Sequence, residues 1–338
     1  MDNQLDISVC IANYNGAEYL RECLNSVYAQ TGNFTYEVLV HDDASTDDSV
    51  ELIQQEFPQV NLINSTENTG FCISNNRMAS AAKGRFLLLL NNDAILRAGS
   101  FAAFITFASN GHEHAILGLP QYALHDGQLV DRGYEFDLFM NPVAVFDQGI
   151  HQVATATGAC LWVPTEVWRA IGGFPAWFES VAEDIFLCQA ARLLGYPTFV
   201  LGSPGFDHWI GKNLGGGKVV AQKLHTTVRR RVLSERNKTA VMLMCYPLWA
   251  LIVILPIHAA LLGLEALFLM LSGAGQNKVS KIYRPILPFV WQQRKQIESL
   301  RHRLYAQRQC SSLRFMTRFR FVPQKLVMLL RHGSPSLR

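Results

Sequence analysis

Short apolar runs alternate with stretches of helical periodicity through the N-terminal part of the chain. Four runs are short enough to be strands, and each ends at polar or turn-forming residues: 7–12, 36–40, 60–63 and 86–90. Three intervening stretches predict helices: 17–30, a segment with Ser45 or Thr46 as candidate N-cap, and 71–82. Strands that alternate with helices predict an α/β fold with a doubly wound, mainly parallel sheet.

Polar clusters follow three of these predicted strands, at residues 13–15, 41–46 and 91–93. In a doubly wound sheet, ligands bind beyond the carboxyl ends of the parallel strands, where the strand-to-helix loops meet. The three clusters are therefore expected to lie at one edge of the sheet and to form a binding site there.

Charge is divided unevenly between the two parts of the chain. Residues 1–210 contain 8 Lys and Arg against 24 Asp and Glu, whereas residues 211–338 contain 22 against 3. The acidic part suits a folded domain with a cation site, and the basic part suits an anionic partner such as a lipid surface or a nucleic acid. Nucleic acid is disfavoured because the basic part contains no known reading motif.

Composition narrows the class of protein further. A chain that is 49% hydrophobic and 17% charged is not disordered. Its 7 cysteines are an odd number without a CxxC pair, which predicts reduced thiols in the cytoplasm. The first residues lack the basic and apolar regions of a signal peptide, so the cytoplasm is again the expected compartment.

Residues 239–264 contain no Asp, Glu, Lys or Arg, and this length suffices to cross a bilayer, which needs about 20 residues. Pro247 and Pro256 interrupt the stretch, and basic residues flank both of its ends. Because positive flanks stay on the cytoplasmic side, we expect a re-entrant or in-plane pair of helices, broken near Pro256. A buried hairpin of a soluble domain remains the alternative.

Several short motifs occur in a fixed order along the chain. They are VCIANYN at 9–15, VHDDASTD at 40–47, NTGF at 68–71, NNR at 75–77, LNND at 90–93, GGF at 172–174, ED at 183–184 and GY at 195–196. In this order the chain resembles family 2 glycosyltransferases with the GT-A nucleotide-sugar-binding fold, in the branch of bacterial rhamnosyltransferase-like enzymes. Each motif alone is weak, and their common order makes the resemblance strong.

The resemblance implies a donor that is a UDP- or dTDP-linked sugar. It assigns donor binding to nine residues: Ala12, Tyr14, Asp42, Asp43, Asn68, Gly70, Phe71, Asn76 and Asn92. Physically, a strand-end carboxylate such as Asp42 or Asp43 can accept the imide N–H of a pyrimidine, and the Tyr14 ring can stack on the base. The alternative is that these residues only form helix-capping turns.

A divalent cation, Mg²⁺ or Mn²⁺, is the implied cofactor, because cleavage of the sugar–phosphate bond leaves negative charge on the diphosphate. The resemblance places the metal on Asp93 and on a later histidine, for which His208 is the candidate. Asn91 and Asn92 are neutral where the family keeps an acidic DxD motif, so a single carboxylate must supply most of the binding.

The acceptor side is expected around Glu183 and Asp184. An inverting transfer needs a base for the acceptor hydroxyl, and the resemblance assigns this role to Asp184, with Glu183 as a neighbouring contact. The alternative is a pair of acids that only stabilise a helix N-terminus. Three aromatic residues are candidates for stacking on sugar rings, although aromatic residues more often fill cores: Trp162, Trp177 and Trp209.

The sequence therefore predicts a catalytic GT-A domain at 1–215 and a helical, membrane-associating region at 216–338, with an apolar part at 239–272 and a basic tail at 273–338. The predicted activity is inverting transfer of one sugar to a lipid-linked or surface-polysaccharide acceptor, at the cytoplasmic face of a bacterial inner membrane. Two alternatives remain: a catalytically inactive nucleotide-sugar-binding scaffold and a processive polysaccharide synthase.

Overall fold

The structure is a computed structural model that describes residues 5–209, 216–220, 223–273, 275–333 and 335–337, with only the backbone described at 216–220 and 223–224. The chain forms two compact units. The first contains residues 1–134, 144–191 and 196–209, and the second contains 135–143, 192–195 and 210–338. The predicted boundary at 215 falls among residues 210–215, outside the described part of the chain.

Fourteen strands lie within the described residues 5–209. They are β1 Ile7–Asn13, β2 Tyr36–Asp42, β3 Asn61–Asn64, β4 Phe86–Asn91, β5 Ala94–Leu96, β6 Ile116–Gly118, β7 Gln121–Ala123, β8 Leu129–Asp131, β9 Tyr134–Phe136, β10 Pro142–Ala144, β11 His151–Gln152, β12 Cys160–Pro164, β13 Thr198–Val200 and β14 Phe206–His208. The helices of this part are α1 Ala17–Tyr28, α2 Ser49–Glu56, α3 Phe71–Ala81, α4 Ser100–Ser109, α5 Thr165–Ile171 and α6 Glu183–Leu193.

The main sheet of the first unit has eight strands in the order β11-β13-β6-β12-β4-β1-β2-β3. Strands β3, β2, β1 and β4 pair in parallel, β12 runs antiparallel to both β4 and β6, and β13 is parallel to β6. Six of the eight strands therefore run in one direction, since only β12 and β11 oppose it. The predicted mainly parallel α/β sheet is confirmed.

Burial on both faces explains why the central strands are mainly apolar. The first five residues of β1 and of β4 are all buried, as expected for a parallel sheet covered by helices on both sides. Their bounds agree with the predicted strands to within a residue. Helix α2 is different: it begins at Ser49 with Asp48 at the N-cap, so the expected cap at Ser45 or Thr46 is wrong. The Ser45 hydroxyl accepts the backbone N–H of Asn15 instead, and the Thr46 hydroxyl donates to the Asn15 side chain.

A second, four-stranded sheet in the first unit has the order β5-β14-β7-β8. Strand β14 runs antiparallel to β5 and parallel to β7, which places His208 opposite Ala94, directly after Asp93. Strand β8 places Asp131 opposite Gln121. Residues from three distant parts of the chain thus meet on this small sheet, since β7 and β8 are consecutive strands.

The second unit is mainly helical. Its helices are α7 Val228–Cys245, α8 Leu248–Leu271, α9 Gln276–Tyr283, α10 Ile286–Gln292, α11 Arg294–Ala306, α12 Ser312–Met316 and α13 Gln324–His332, and its strands are β15 Gly216–Val220, β16 Lys223–Thr226 and β17 Ser336–Leu337. The predicted pair of helices broken near Pro256 is wrong, because residues 248–271 form one continuous helix and the break in the apolar stretch lies at residues 246–247. Tyr246 is extended before Pro247, as residues before proline tend to be, while Pro256 lies inside the continuous α8.

Candidate active site

Hydrogen bonds between buried side chains tie together the carboxyl ends of β2, β1 and β4. Asn13 Nδ2 donates to Asp42 Oδ2 at 2.9 Å, and Asn92 Nδ2 donates to Asn13 Oδ1 at 2.8 Å. The strand register agrees, since Asn13 lies opposite Asp42 on the neighbouring strand. The three polar clusters therefore meet at one sheet edge, as predicted, and Asn92 acts there as a hydrogen-bond donor, which a carboxylate at this position would not be.

The two acids after β2 hold the loops of this edge in place. Asp42 Oδ1 accepts the backbone N–H of Ser45 at 2.9 Å. Asp43 accepts the N–H groups of Thr69 and Gly70 at 2.8 and 2.7 Å, which fixes the 68–71 motif beside β2. Both carboxylates are buried, whereas the Tyr14 side chain on the next loop is 49% exposed. Tyr14 is thus accessible for stacking, and binding of a base by Asp42 or Asp43 stays a prediction.

The remaining predicted donor-binding residues differ in their surroundings. Asn68 is exposed, Phe71 lies 6.2 Å from the Phe174 ring, and Ala12 is half-buried on β1. The Asn76 amide donates to Phe174 O at 2.8 Å and accepts from Phe174 N at 3.0 Å. Asn76 therefore fastens α3 to the GGF turn, and a direct contact of Asn76 with a donor stays a prediction.

The two predicted metal ligands are adjacent although 115 residues separate them in the sequence. His208 Nε2 lies 3.0 Å from Asp93 Oδ1, and Gln121 Nε2 lies 2.9 Å from His208 Nδ1. The backbone N–H of Trp209 donates to Asp93 O at 3.1 Å, which continues the pairing of β5 and β14. A carboxylate and an imidazole thus lie side by side, and a glutamine amide contacts the second nitrogen of the imidazole.

This pair fits a divalent cation that arrives with a diphosphate. No group of three or more His, Cys, Asp or Glu side chains arranged to hold a metal occurs among the residues that the structure describes. Mg²⁺ commonly takes one or two protein ligands and completes its shell with substrate phosphates and water. Asp93 and His208 therefore suit a site completed by the donor, and they do not suit a permanent all-protein metal site.

Asp131 is an acid near this pair that the sequence did not reveal. It is fully buried on β8, where its carboxylate accepts the Gly133 N–H at 2.9 Å and the Tyr134 hydroxyl at 2.7 Å. Burial raises the pKa of Asp131 to about 6, and a nearby Asp184 raises it further, while the two hydrogen bonds and the charge of His208 oppose the shift. Asp131 and Gln121 sit on three-residue strands without a motif, so no pattern pointed to them.

The acceptor-side acids reach the same edge of the sheet from α6. Asp184 Oδ2 accepts the Gly158 N–H at 3.0 Å, and the next residue, Ala159, accepts the N–H of Asn91 through its carbonyl at 2.9 Å. Asp184 is thus held beside the end of β4. Glu183 is buried next to it, and the charges of both acids contribute, after burial, to the raised pKa of the Cys72 thiol at the start of α3.

Strained backbone concentrates in these loops. Among the described residues, six other than glycine have positive φ, and five of them lie in the loops of this site: Asn15 at 49°, Ala44 at 64°, Glu179 at 62°, Val181 at 69° and Ala182 at 70°. A β-branched residue such as Val181 rarely adopts this conformation, and such strain is typical of functional loops. The segment that delivers Glu183 and Asp184 is therefore held in an unfavourable conformation by its surroundings.

One of the predicted acceptor contacts is wrong. Trp162 is fully buried in the core, where its ring lies 4.6 Å from Phe86 and 5.0 Å from Phe104, so it presents no face to a sugar. Trp177 is half-buried beside a 3₁₀ turn, and Trp209 is half-buried 5.0 Å from the Tyr19 ring. Both stay candidates for sugar stacking.

The fold is shared with solved glycosyltransferases of the GT-A fold. A crystal structure of GalNAc-T7 with UDP, GalNAc and Mn²⁺ superposes with a TM-score of 0.58 at 15% identity, covering 72% of this chain and 48% of that one. A mannosyltransferase of Pyrobaculum calidifontis with GDP-Man and Mn²⁺ has a TM-score of 0.51 at 16% identity, covering 90% and 86%. At such low identity these likenesses establish the fold alone.

Sequence comparison identifies the family. The glycosyl transferase family 2 profile matches residues 8–161, and that of glycosyl transferase family group 2 matches residues 86–271. The chain belongs to glycosyltransferase family 2. A poly(ribitol-phosphate) β-glucosyltransferase of Bacillus spizizenii is 29% identical over 119 residues, which are 34% of this chain. The chain spans only 19% of the length of that relative.

Proposed function

We propose that this protein is a metal-dependent, inverting glycosyltransferase that moves one sugar from a UDP- or dTDP-sugar to a hydroxyl of a lipid-linked or surface-polysaccharide acceptor. The single observation that carries the proposal is the convergence of Asp93, His208 and Asp184 at one sheet edge. Charge stabilisation and proton removal are the two tasks of such a transfer, and this edge has a candidate group for each.

The side chains divide the chemistry between them. Mg²⁺ or Mn²⁺ held by Asp93 and His208 would neutralise the charge on the departing diphosphate. The exposed Tyr14 ring would stack on the base. Asp184 would accept the proton of the acceptor hydroxyl, and the hydrogen bond from the Gly158 N–H at 3.0 Å keeps its carboxylate oriented.

A donor screen would identify the nucleotide base and the sugar of the proposed donor. One structural neighbour carries UDP and another carries GDP-Man, so a donor screen must include guanine nucleotides as well as UDP- and dTDP-sugars. The rhamnosyltransferase-like pattern of the motifs favours a dTDP-sugar among the candidates. Turnover with dTDP-rhamnose and none with UDP-sugars would place the protein in that branch.

A polysaccharide or lipid-linked acceptor is supported by two observations. The curated relative acts, by its name, on poly(ribitol phosphate). The second unit combines a basic surface with the long apolar helix α8, which suits attachment to the cytoplasmic face of a bacterial inner membrane. Placing enzyme and acceptor on one membrane raises their effective concentration.

Two variants test the catalytic assignment. With purified protein, a preferred donor and Mn²⁺, Asp93→Ala should lose metal-dependent donor binding and turnover, whereas Asp184→Asn should keep donor binding by calorimetry and lose transfer. Glu113→Gln, an exposed residue far from the motifs, is the matched control and should behave like the wild type. Full activity of Asp184→Asn would show that another group is the base.

The same experiment separates the alternatives. Wild-type protein that binds a donor without ever turning it over would be a nucleotide-sugar-binding scaffold, an outcome for which the neutral Asn91 and Asn92 give some reason. Products that grow by many sugars without release would indicate a processive synthase.

A further inference from the structure

Helix α8 has two different faces within the second unit. It is the one helix among the described residues that is long and apolar enough to cross a membrane by length and composition. Ala250, Leu251, Ile254 and His258 face the unit and are buried. The opposite face is exposed along the whole helix: Leu248 67%, Ile252 75%, Leu264 62% and Leu271 79%.

The protein-facing side of α8 is held by ionic and polar contacts. Glu265 accepts hydrogen bonds from Arg231 of α7 at 2.5 Å and from Lys325 of α13 at 2.7 Å. His258 lies 3.0 Å from the Thr239 hydroxyl of α7. Helix α8 is therefore fastened lengthwise to two helices that carry charged residues, and it does not stand apart from its unit.

This attachment conflicts with a transmembrane orientation. Glu265 lies about 8 Å from the midpoint of α8 at 1.5 Å per residue, well inside the roughly 15 Å half-thickness of a hydrocarbon core. A spanning α8 would carry Arg231 and Lys325 into the hydrocarbon or lose both ion pairs. Charged groups at that depth cost about 2.5–3.5 kcal/mol each even on the most lenient scale.

The surface charge identifies what covers the exposed face. Residues 211–338 contain 22 Lys and Arg against 3 Asp and Glu. Glu235 is completely buried and Glu265 is ion-paired, so exposed acids hardly offset the basic residues. Such a surface repels a second copy of itself and attracts anionic headgroups, each exposed cation contributing about 1 kcal/mol. Exposed tryptophans, Trp249 and Trp291, suit the interface between headgroups and acyl chains.

We infer that α8 lies in the plane of an anionic lipid surface, with the face that contains Ile252, Leu264 and Leu271 in the headgroup–acyl boundary, with the first residue, Leu248, at the level of the headgroups, and with Glu265 turned to the protein. This inference rests on the membrane association proposed above and decides its mode: both ends of α8 stay on one side of the bilayer. Phe315 and Phe319 of the basic tail are buried in the second unit and do not take part.

Cysteine labelling distinguishes an in-plane from a spanning helix. Leu248→Cys and Ser272→Cys place a thiol at each exposed end of α8, while the native cysteines are all buried. In inside-out membrane vesicles from expressing cells, a membrane-impermeant maleimide should label both variants, and in right-side-out vesicles it should label neither. Labelling of only one end of α8 in each preparation would mean that the helix spans the membrane. Absence of the protein from the membrane fraction would mean that no lipid covers the exposed face of α8. Either result overturns the inference.

A vesicle-binding assay tests the lipid face itself. Ile252→Glu combined with Leu264→Glu should reduce co-flotation with vesicles of 70% phosphatidylcholine and 30% phosphatidylglycerol at least tenfold, and vesicles of pure phosphatidylcholine should bind the wild type weakly. Ile150→Glu, which replaces an isoleucine of the first unit that is 54% exposed, is the control and should bind normally. Undiminished flotation of a folded double variant, checked by circular dichroism, would refute the assignment of this face.

Donor hydrolysis in detergent keeps this inference separate from the proposed catalytic function. The double variant should hydrolyse the donor at the wild-type rate, because its substitutions are on the second unit and outside the candidate site. If the wild type binds vesicles normally but does not turn over any donor, the proposed enzymatic function is refuted. The inferred in-plane orientation of α8 would then still hold.

Discussion

Asn92→Asp replaces a neutral residue of the LNND motif, between Asn91 and Asp93, by an acid, and the structure predicts that this change destabilises the first unit. Asn92 Nδ2 donates to Asn13 Oδ1 at 2.8 Å, and Asn13 Nδ2 in turn donates to Asp42 Oδ2 at 2.9 Å. A carboxylate at 92 would face the Asn13 carbonyl oxygen. Turning the Asn13 amide around would only move the oxygen–oxygen contact to Asp42.

The size of the loss in the free energy of unfolding follows from the fixed direction of these two hydrogen bonds, from Asn92 to Asn13 and from Asn13 to Asp42. Asn92 and Asn13 are 5% and 1% exposed, so water does not replace the lost bond. A buried acceptor left unpaired costs about 1–3 kcal/mol and a buried uncompensated charge about 3–5 kcal/mol, so we expect a loss of about 3 kcal/mol at pH 7. The loss should shrink as the pH falls, because a protonated carboxyl can donate to Asn13 Oδ1 again.

Urea unfolding followed by tryptophan fluorescence measures this loss, with two control variants. Asn92→Ala removes the bond without adding charge and should lose about 1 kcal/mol. Asn91→Asp makes the same chemical change at the neighbouring, half-buried position, where the amide is 3.5 Å from His208 Nε2 and a carboxylate can accept from the imidazole. If Asn92→Asp were as stable as the wild type at pH 7, the donor chain described here would be incorrect.

Three further predictions concern the same edge of the sheet. A Cβ on Gly158 would lie 3.3 Å from Asp184 Cβ, so Gly158→Ala should lower kcat about tenfold while the KM for the donor hardly changes, and an unchanged kcat would show that Asp184 tolerates displacement. Gln121→Leu should weaken Mn²⁺ binding in the presence of nucleotide, measured by electron paramagnetic resonance, about 10- to 100-fold because His208 loses the partner of its Nδ1, whereas equal affinity would remove Gln121 from the metal site. Asp131 has its pKa raised by burial to about 6, so its contribution to stability is present below pH 3.8 and is lost as the pH rises through 6. Without metal, the free energy of unfolding of the wild type relative to Asp131→Asn should therefore fall by about 3 kcal/mol between pH 4 and pH 7, and a constant difference would contradict the raised pKa.

Much of the first unit could be predicted because its elements are determined locally. A central strand of a parallel sheet is largely apolar on both faces, and β1 and β4 therefore appear in the sequence as mainly apolar runs. The polar residues that follow these strands mark the edge of the sheet where ligands of such folds bind. The pairing of Asp93 with His208, which the family resemblance implied, is present at 3.0 Å.

Two of the predictions that were wrong concerned features that depend on contacts between distant parts of the chain: the burial of Trp162 and the effect of Pro256 on its helix. Trp162 was assigned to the acceptor because it is aromatic, but its strand lies between β4 and β6, which places the ring in the core. Pro256 was expected to break the apolar stretch. Tyr246 and Pro247 end the preceding helix instead, and α8 continues through Pro256, since one proline removes a single helical hydrogen bond.

The sequence by itself determined the fold class, the family and the order of the strand-end motifs, because apolar periodicity and motif order are properties of neighbouring residues. Only the tertiary structure decided that Asn92 is a hydrogen-bond donor to Asn13, that Gln121 and Asp131 join His208, and that α8 has one face bound by ion pairs. These contacts join residues as far apart as 79 and 87 positions. Their geometry depends on which strands and helices become neighbours, and no local pattern encodes that.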